Sequence, residues 1–146
     1  MELFTIGFTK KSANKFFELL KNNRVEALID VRLNNVSQLA GFAKGEDLKY
    51  FLSEICNCKY FHEVTFAPTK ELLSSYRSGK TSWQEYVKVF TQIMEERNVY
   101  SVFKSKYSSC SKICLLCSED TPEQCHRRLL AEEFKRNDES IEIIHL

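Results

Sequence analysis

Short apolar runs alternate along this chain with segments in which apolar residues recur every three or four positions. The runs ELFTIG (2–7) and VEALIDV (25–31) are rich in apolar and β-branched residues, which favours β-strands. The intervening SANKFFELLKNN places Phe16, Leu19 and Leu20 at helical spacing. Together these three segments predict a β-α-β unit.

The central part of the chain is mostly helical in pattern. Residues 33–44 are polar and irregular, a helix is expected near 46–55, and KYFHEV (59–64) is a candidate third strand. After Pro68 a short helix is expected over 70–77, ending at a Ser-Gly break. An amphipathic helix follows, and its apolar positions fit a stripe that faces the core: Trp83, Tyr86, Val87, Phe90, Ile93 and Met94.

Two stretches of this helical region carry no predicted site. Residues 98–109 are ambiguous and Ser-rich near their end, so no element is predicted there. The basic residues Lys70, Arg77 and Lys80 fit a solvated helix face better than a phosphate site. The chemistry is therefore expected elsewhere.

The pattern is sharpest after residue 112. ICLLC (113–117) is a fully apolar strand candidate, and the following TPEQ predicts a helix start. Thr121 would be the N-cap, Pro122 the first helical residue, and Gln124 the third position of a capping box. The helix is expected to run to about Arg136.

The closing run IEIIHL (141–146) predicts a last strand. Strands that alternate with helices are typical of a parallel sheet, because a parallel pair needs a crossover connection. The chain therefore predicts a single α/β domain over residues 1–146, with a mostly parallel sheet of about four to five strands and helices on both faces.

Composition limits the functions that fit. The net charge of +1 provides no global field, so broad nucleic-acid binding is not expected and any anion binding must be local. No secretory leader and no apolar run of membrane-spanning length is present in the sequence, which predicts a cytoplasmic protein without membrane contact. In that compartment the six cysteines are expected to be thiols, ligands or nucleophiles instead of disulfides.

Polar residues follow three of the predicted strands. The first strand ends in Gly-Phe-Thr (7–9) and the second in Asp-Val-Arg (30–32). The strand before the last helix ends in Cys-Ser-Glu-Asp (117–120). Ligands of open α/β sheets bind beyond the carboxyl ends of the strands. The three strand ends are therefore predicted to converge on one site.

A reactive thiol is one interpretation of that site. Cys117 would leave its strand at the site, while Cys125 and His126 would lie near the positive end of the next helix dipole. Unpaired backbone N–H groups and an imidazolium favour the thiolate, so a nucleophilic or redox cysteine with a nearby base is expected. The alternative is that the cysteines are simply packed, since His126, Leu130 and Phe134 share one helical face and would make a buried histidine.

The polar residues around the thiols also have two interpretations. Asp30 and Arg32 are two apart in a strand and point to the same face, where they can hold a polar substrate or form an ion pair with each other. Glu119 can act as a general acid or base, or favour a helix start.

Zinc is a further alternative, because Cys114, Cys117, Cys125 and His126 offer four soft ligands. Two arguments oppose it. Cys114 and Cys117 differ by an odd number and would point to opposite faces of a strand, and the adjacent Cys125 and His126 rarely ligate one ion. No metal or cofactor is therefore predicted, and structural zinc stays open as an alternative.

The run CLLCSEDTPEQCHRRLLAE, with the opening TIGFT and the strand end IDVR, resembles the domain of unknown function 488 family. The resemblance spans nearly the whole chain and includes the APT segment (67–69) and the helices after it. It implies a compact α/β fold, and the recurring polar positions of the family map here onto Asp30, Arg32, Cys117, Glu119, Cys125, His126 and Arg127.

One position departs from the resemblance. Members often have Thr-Ile-Gly-His-Ser after the first strand, whereas this chain has Gly7-Phe8-Thr9, which replaces the histidine but keeps a hydroxyl. A mechanism that needs an imidazole at that position is therefore not expected here.

These observations lead to one hypothesis and its alternatives. The hypothesis is a small enzyme acting on a polar, anionic, nucleotide-like small molecule, with Cys117 or Cys125 as the thiolate and His126 and Glu119 as proton-transfer partners. The substrate-binding residues would be Asp30, Arg32, Arg127 and Thr9. The first alternative is a non-catalytic module that binds a nucleotide, nucleic acid or partner protein while its cysteines are packed, and the second is a structural zinc site.

Overall fold

The computed structural model describes residues 1–36 and 40–146, and one five-stranded sheet forms its centre. The strands are β1 (Glu2–Gly7), β2 (Ala27–Asp30), β3 (Lys59–His62), β4 (Lys112–Cys117) and β5 (Glu142–His145). Their order across the sheet is β3-β2-β4-β1-β5, and every neighbouring pair is parallel. The α/β prediction with a parallel sheet is confirmed.

The register brings three strand ends to the same edge. Gly7 at the end of β1 pairs with Cys117 at the end of β4, and Asp30 at the end of β2 pairs with Leu116. Because all strands run the same way, the residues that follow these three ends leave the sheet side by side. The predicted convergence of the three strand ends is confirmed.

In the described part of the chain, six α-helices cover the sheet: α1 (Ala13–Asn22), α2 (Gly45–Phe51), α3 (Lys70–Arg77), α4 (Trp83–Arg97), α5 (Val99–Tyr107) and α6 (His126–Asn137). The α2 helix continues as a π-helical segment, Leu52–Cys56, and 3₁₀ turns occupy Gly41–Ala43 and Val64–Phe66. Side-chain caps set three of the starts. Ser12 and Thr69 each accept from a backbone N–H of the first turn, and Ser82 forms a full capping box with Glu85.

The α5 helix occupies residues for which the sequence predicted no element. It follows α4 directly, because Asn98 adopts a left-handed conformation with φ +50° and turns the chain between the two helices. Asparagine adopts this conformation more readily than most residues, so neither glycine nor proline marks the break.

The core has two halves, one on each face of the sheet. One half packs α1 and α2 against the sheet through residues such as Phe16, Leu20 and Leu48. The other packs α4, α5 and α6 through residues such as Phe90 and Phe134. Helices on both faces are therefore confirmed.

The β4 strand contributes to both halves. Ile113, Leu115 and Cys117 lie in one, and Cys114 and Leu116 lie in the other. The expectation that Cys114 and Cys117 point to opposite faces of the sheet is confirmed.

The predicted start of the last helix is wrong. The α6 helix begins at His126 with Cys125 as its N-cap residue, and Thr121 and Pro122 lie in the turn before it. The physical reason is a different set of bonds in that turn. Arg127 donates to the carbonyl oxygens of Glu119 and Asp120, which keeps the chain in a turn until residue 125.

Among residues 1–36 and 40–146, no helix has both the length and the apolar character needed to cross a membrane.

The half of the core under α6 provides a stability test. Phe134 is fully buried, stacks on Phe103 at 4.2 Å between ring centroids, and meets Phe66 edge-on at 5.4 Å. We expect Phe134→Ala to lower the free energy of unfolding by about 3–5 kcal/mol, because a large cavity replaces the ring. Urea denaturation measures the change. The control Val89→Ala removes a side chain that is 42% exposed and is expected to change stability by about 0.5 kcal/mol or less.

Candidate active site

A cavity of about 100 Å³ lies beyond the carboxyl ends of β2 and β4. Its wall combines residues from both strand ends, the turn before α6, and the α3 and α4 helices. The lining residues are Arg32, Leu33, Asn34, Pro68, Leu73, Tyr76, Arg77, Tyr86, Cys117, Ser118, Glu119, Gln124, Cys125 and His126. The predicted thiols and histidine therefore line one cavity.

Three side chains in this wall form a compact cluster, which we call the Cys-Cys-His cluster: Cys117, Cys125 and His126. Cys117 ends β4, Cys125 caps α6 and His126 is its first residue. Their two sulfurs and one ring nitrogen all lie within 4.8 Å of one another, and Cys117 Sγ is 3.6 Å from His126 Nδ1. All three side chains are buried.

The orientation of the His126 ring follows from its other nitrogen. His126 Nε2 lies 2.8 Å from the carbonyl oxygen of Val31. A carbonyl oxygen can only accept, so Nε2 must carry a hydrogen. In the neutral ring Nδ1 then has its lone pair directed at the sulfur of Cys117. The edge of Phe90 packs on the ring, with 5.5 Å between centroids.

Electrostatics distinguish the two cysteines. The pKa of Cys125 is well below its usual value, because its sulfur interacts with the Cys117 thiol and, to a smaller extent, with the His126 ring and the charge of Arg127. The same interaction, together with burial, raises the pKa of Cys117 well above its usual value.

Asp30 and Arg32 form a buried ion pair at the end of β2. Arg32 Nε and Nη2 donate to the two carboxylate oxygens of Asp30 at 2.8 and 2.7 Å, and Nη2 also donates to the carbonyl of Ala43. Tyr60 donates its hydroxyl hydrogen to the same carboxylate at 2.7 Å. Burial acts to lower the pKa of Arg32, but the hydrogen bond and charge of Asp30 outweigh it and raise that pKa.

The bonds of this pair occupy one side of the Arg32 guanidinium. Within residues 1–36 and 40–146, the bonds to Asp30 and Ala43 use the hydrogens of Nε and Nη2 and leave those of Nη1 without a partner, and Arg32 lines the cavity. The ring of Phe8 lies 5.2 Å from the Arg32 guanidinium carbon. This cation–π contact supports Arg32.

The remaining predicted site residues lie in different places. Glu119 lines the cavity with an exposed side chain. Thr9 lies outside the cavity wall, and its hydroxyl donates to the carbonyl of Ser118 at 2.6 Å. Arg127 is fully buried, does not line the cavity, and donates to the turn carbonyls of Glu119 and Asp120 at 2.7 and 3.3 Å.

Several cavity residues were not predicted as part of the site, among them Arg77, Tyr76 and Tyr86. Arg77 reaches the wall from the last turn of α3, a position that sequence analysis assigned to a solvated helix face. Tyr76 and Tyr86 line the wall beside it, with their rings 5.0 Å apart. Tyr86 belongs to the apolar stripe of α4, so this residue serves the core and the cavity together.

A wider cleft of about 910 Å³ adjoins the cavity. The two spaces share Asn34, Arg77, Ser118 and Glu119 in their walls. The cleft adds residues from the loop after β1, among them Thr9, Lys10 and Lys11. The cavity is thus the inner end of a larger, partly basic opening.

The Cys-Cys-His cluster is also the place where the described residues could hold a metal ion. The argument that the adjacent Cys125 and His126 rarely ligate one ion does not apply to this geometry. Cys125 has extended backbone angles (φ −135°, ψ 139°) and His126 is already helical, which brings both side chains to one point.

A search of protein families gives one match. The sequence model described as "Domain of unknown function DUF488" matches residues 12–134. The chain belongs to this family. The match covers the Cys-Cys-His cluster, Asp30 and Arg32, whereas Phe8 and Thr9 lie before its first residue. No curated protein and no solved structure matches the chain.

Gly7 determines how closely the turn after β4 approaches β1. A Cβ atom on Gly7 would lie 1.5 Å from the carbonyl oxygen of Glu119, the oxygen that accepts from Arg127. We expect Gly7→Ala to lower the free energy of unfolding by about 1–3 kcal/mol, because the turn must move. Urea denaturation measures the loss. Gly41→Ala is the control, since its Cβ would have no neighbour within 4 Å among the described residues.

The Asp30–Arg32 pair gives a second stability prediction. We expect Asp30→Leu to lower the free energy of unfolding by about 3–5 kcal/mol, because it leaves the Arg32 charge buried and unpaired. The double variant Asp30→Leu/Arg32→Met should recover much of the loss. Thermal and urea unfolding of the wild-type protein, the two single variants Asp30→Leu and Arg32→Met, and the double variant measure both effects. A double variant whose loss of stability equals the sum of the two single losses would contradict the buried ion pair.

Proposed function

We propose that this protein is a cysteine-dependent enzyme that acts on a small anionic molecule, with the sulfur of Cys125 as the nucleophile. The observation that carries the proposal is the position of this sulfur. It lies in the cavity wall within 4.8 Å of both Cys117 Sγ and the His126 ring, in a cavity that is also lined by the Arg32 guanidinium.

The position of Cys125 on α6 supports its role. As the N-cap residue it lies at the positive end of a 12-residue helix, whose first N–H groups lack partners within the helix. Negative charge on a cysteine sulfur is favoured at such a position. Cys117 ends a strand instead, so the helix favours Cys125 over Cys117 as the nucleophile.

Cys117 and His126 supply a route for the proton. The Cys117 thiol contacts Cys125 on one side and lies 3.6 Å from His126 Nδ1 on the other. When Cys125 forms a bond to an electrophilic atom, its proton passes through Cys117 to His126 Nδ1. The departing group leaves with the bonding electron pair and takes that proton from His126. Glu119, exposed in the same wall, can return a proton from solvent.

The surrounding charges favour an anionic substrate. Arg32 and Arg77 both belong to the cavity wall, and an arginine fork suits a carboxylate or phosphate. A cavity of about 100 Å³ holds only a small reacting group, so the rest of the substrate would lie in the cleft beside Lys10 and Lys11. A nucleotide-like molecule has such a small reacting group attached to a larger remainder. We propose that the reaction takes place in the cytoplasm, where thiols stay reduced.

A binding module is the second candidate. The observation in its favour is burial, since Cys117 is only 7% and Cys125 only 3% exposed. In that case the arginines would bind the anion and the cysteines would be packing residues, as cysteines commonly are.

Two alkylating reagents of similar size distinguish these candidates. At each cysteine, the ratio of the labelling rate with anionic iodoacetate to that with neutral iodoacetamide measures the preference for an anion. We expect this ratio to be about ten times higher at Cys125 than at Cys56, because Arg32 and Arg77 attract the anion. Peptide mass spectrometry at fixed pH measures both rates at each cysteine. Arg77→Ala should remove most of this preference.

The matched control is Lys88→Ala, which removes an exposed positive charge from α4 outside the cavity wall and should leave the preference intact. Labelling of Cys125 that is slower than that of Cys56 with both reagents would contradict the enzyme and favour the binding module.

A further inference from the structure

The Cys-Cys-His cluster has a property that a nucleophilic cysteine does not need: three soft donor atoms point at one another. Cys117, Cys125 and His126 each offer one ligand atom, and all three atoms lie within 4.8 Å. We propose that these residues also form a binding site for a soft divalent cation of the zinc type, with one coordination position open to the cavity.

The distance between Cys117 Sγ and His126 Nδ1 fits a tetrahedral ion. Zinc lies about 2.3 Å from a cysteine sulfur and about 2.0–2.1 Å from a histidine nitrogen. At tetrahedral angles these lengths place the sulfur and the nitrogen about 3.5 Å apart. Cys117 Sγ and His126 Nδ1 are 3.6 Å apart. An ion could therefore bind both without a change in the backbone.

The histidine is oriented as a metal ligand. The Val31 carbonyl holds the Nε2 hydrogen at 2.8 Å, which leaves the lone pair of Nδ1 free to bind a cation. A ligating histidine commonly donates its other N–H to a backbone carbonyl or carboxylate in this way, which fixes both tautomer and ring orientation. Phe90 restricts the ring from the side.

The ligand count favours an open site over a purely structural one. Within residues 1–36 and 40–146, no fourth cysteine, histidine or carboxylate joins the three donors, and Cys114 lies on the other face of the sheet. Zinc sites with three protein ligands leave the fourth position to water or substrate. Since all three ligands line the cavity, that position is accessible from it.

The charges are balanced as well. Two thiolates and a neutral imidazole carry a charge of about −2, which matches a divalent cation, and thiolates select soft metals over magnesium or calcium. A bound ion would hold the Cys125 sulfur, so cation binding and attack by that sulfur exclude each other. The cation site stands on the ligand geometry and does not depend on the proposed reaction.

Cobalt(II) provides an optical test, because it replaces zinc and its bonds to thiolates absorb in the near ultraviolet. We expect the metal-free protein to take up one Co²⁺ per chain, with a thiolate-to-metal absorption band and the intense visible bands of tetrahedral cobalt. Cys117→Ser, Cys125→Ser and His126→Gln should each weaken or abolish these bands. Cys56→Ser and Cys110→Ser, which alter cysteines outside the cluster, should leave them unchanged.

Two results would overturn the proposal. One is the absence of the near-ultraviolet band from folded wild-type protein saturated with Co²⁺. The other is an unchanged band in Cys117→Ser or Cys125→Ser that remains folded by circular dichroism.

A second measurement needs no variant of the cluster. Zn²⁺ should protect Cys117 and Cys125 of the wild-type protein from iodoacetamide while leaving Cys56 reactive, and equal labelling of Cys125 with and without Zn²⁺ would contradict the site. Arg77→Ala separates this proposal from the enzyme. It should remove the iodoacetate preference but retain the cobalt bands, so each proposal can fail alone.

Discussion

The geometry of the site depends on one buried cation, the Arg127 guanidinium. It donates to two consecutive carbonyl oxygens of the turn between β4 and α6, and those dipoles compensate for the hydration that a buried charge has lost. Gly7 leaves the space in which the turn can approach β1. Because Cys117 precedes the turn and Cys125 follows it, the same bonds determine how far apart the two sulfurs lie. Arg127, which sequence analysis predicted to bind substrate, thus stabilises the turn that carries the site.

The sequence predicts most of the fold because buried parallel strands read as continuous apolar runs. β1 and β4 are such runs, and the helices between them show clear periodicity. The exceptions depend on single backbone conformations. Asn98 turns the chain between α4 and α5 at positive φ without a glycine or proline signal. The TPEQ segment has good capping chemistry, yet the tertiary bonds of Arg127 outweigh this local preference and the helix begins later.

The candidate site was predictable where it depends on topology and unpredictable where it depends on packing. Parallel strands bring their carboxyl ends to one edge, so Arg32, Cys117 and the start of α6 could be placed together in advance. Arg77 comes from α3, whose position beside the cavity includes the packing of Tyr76 on Tyr86. The spacing of residues in the sequence does not indicate the contact between Tyr76 and Tyr86. The inward direction of Arg127 is likewise set by the turn that it stabilises.

The strand order also has a consequence for how the chain is made. β1 lies between β4 and β5, so Glu2 finds its partners only at Lys112 and Glu142. During synthesis on the ribosome this apolar strand stays unpaired until β4 has emerged. Pairings between such distant residues form slowly and leave apolar surface exposed in the intermediates. The centre of the sheet, with Cys117 at the carboxyl end of β4, therefore forms late.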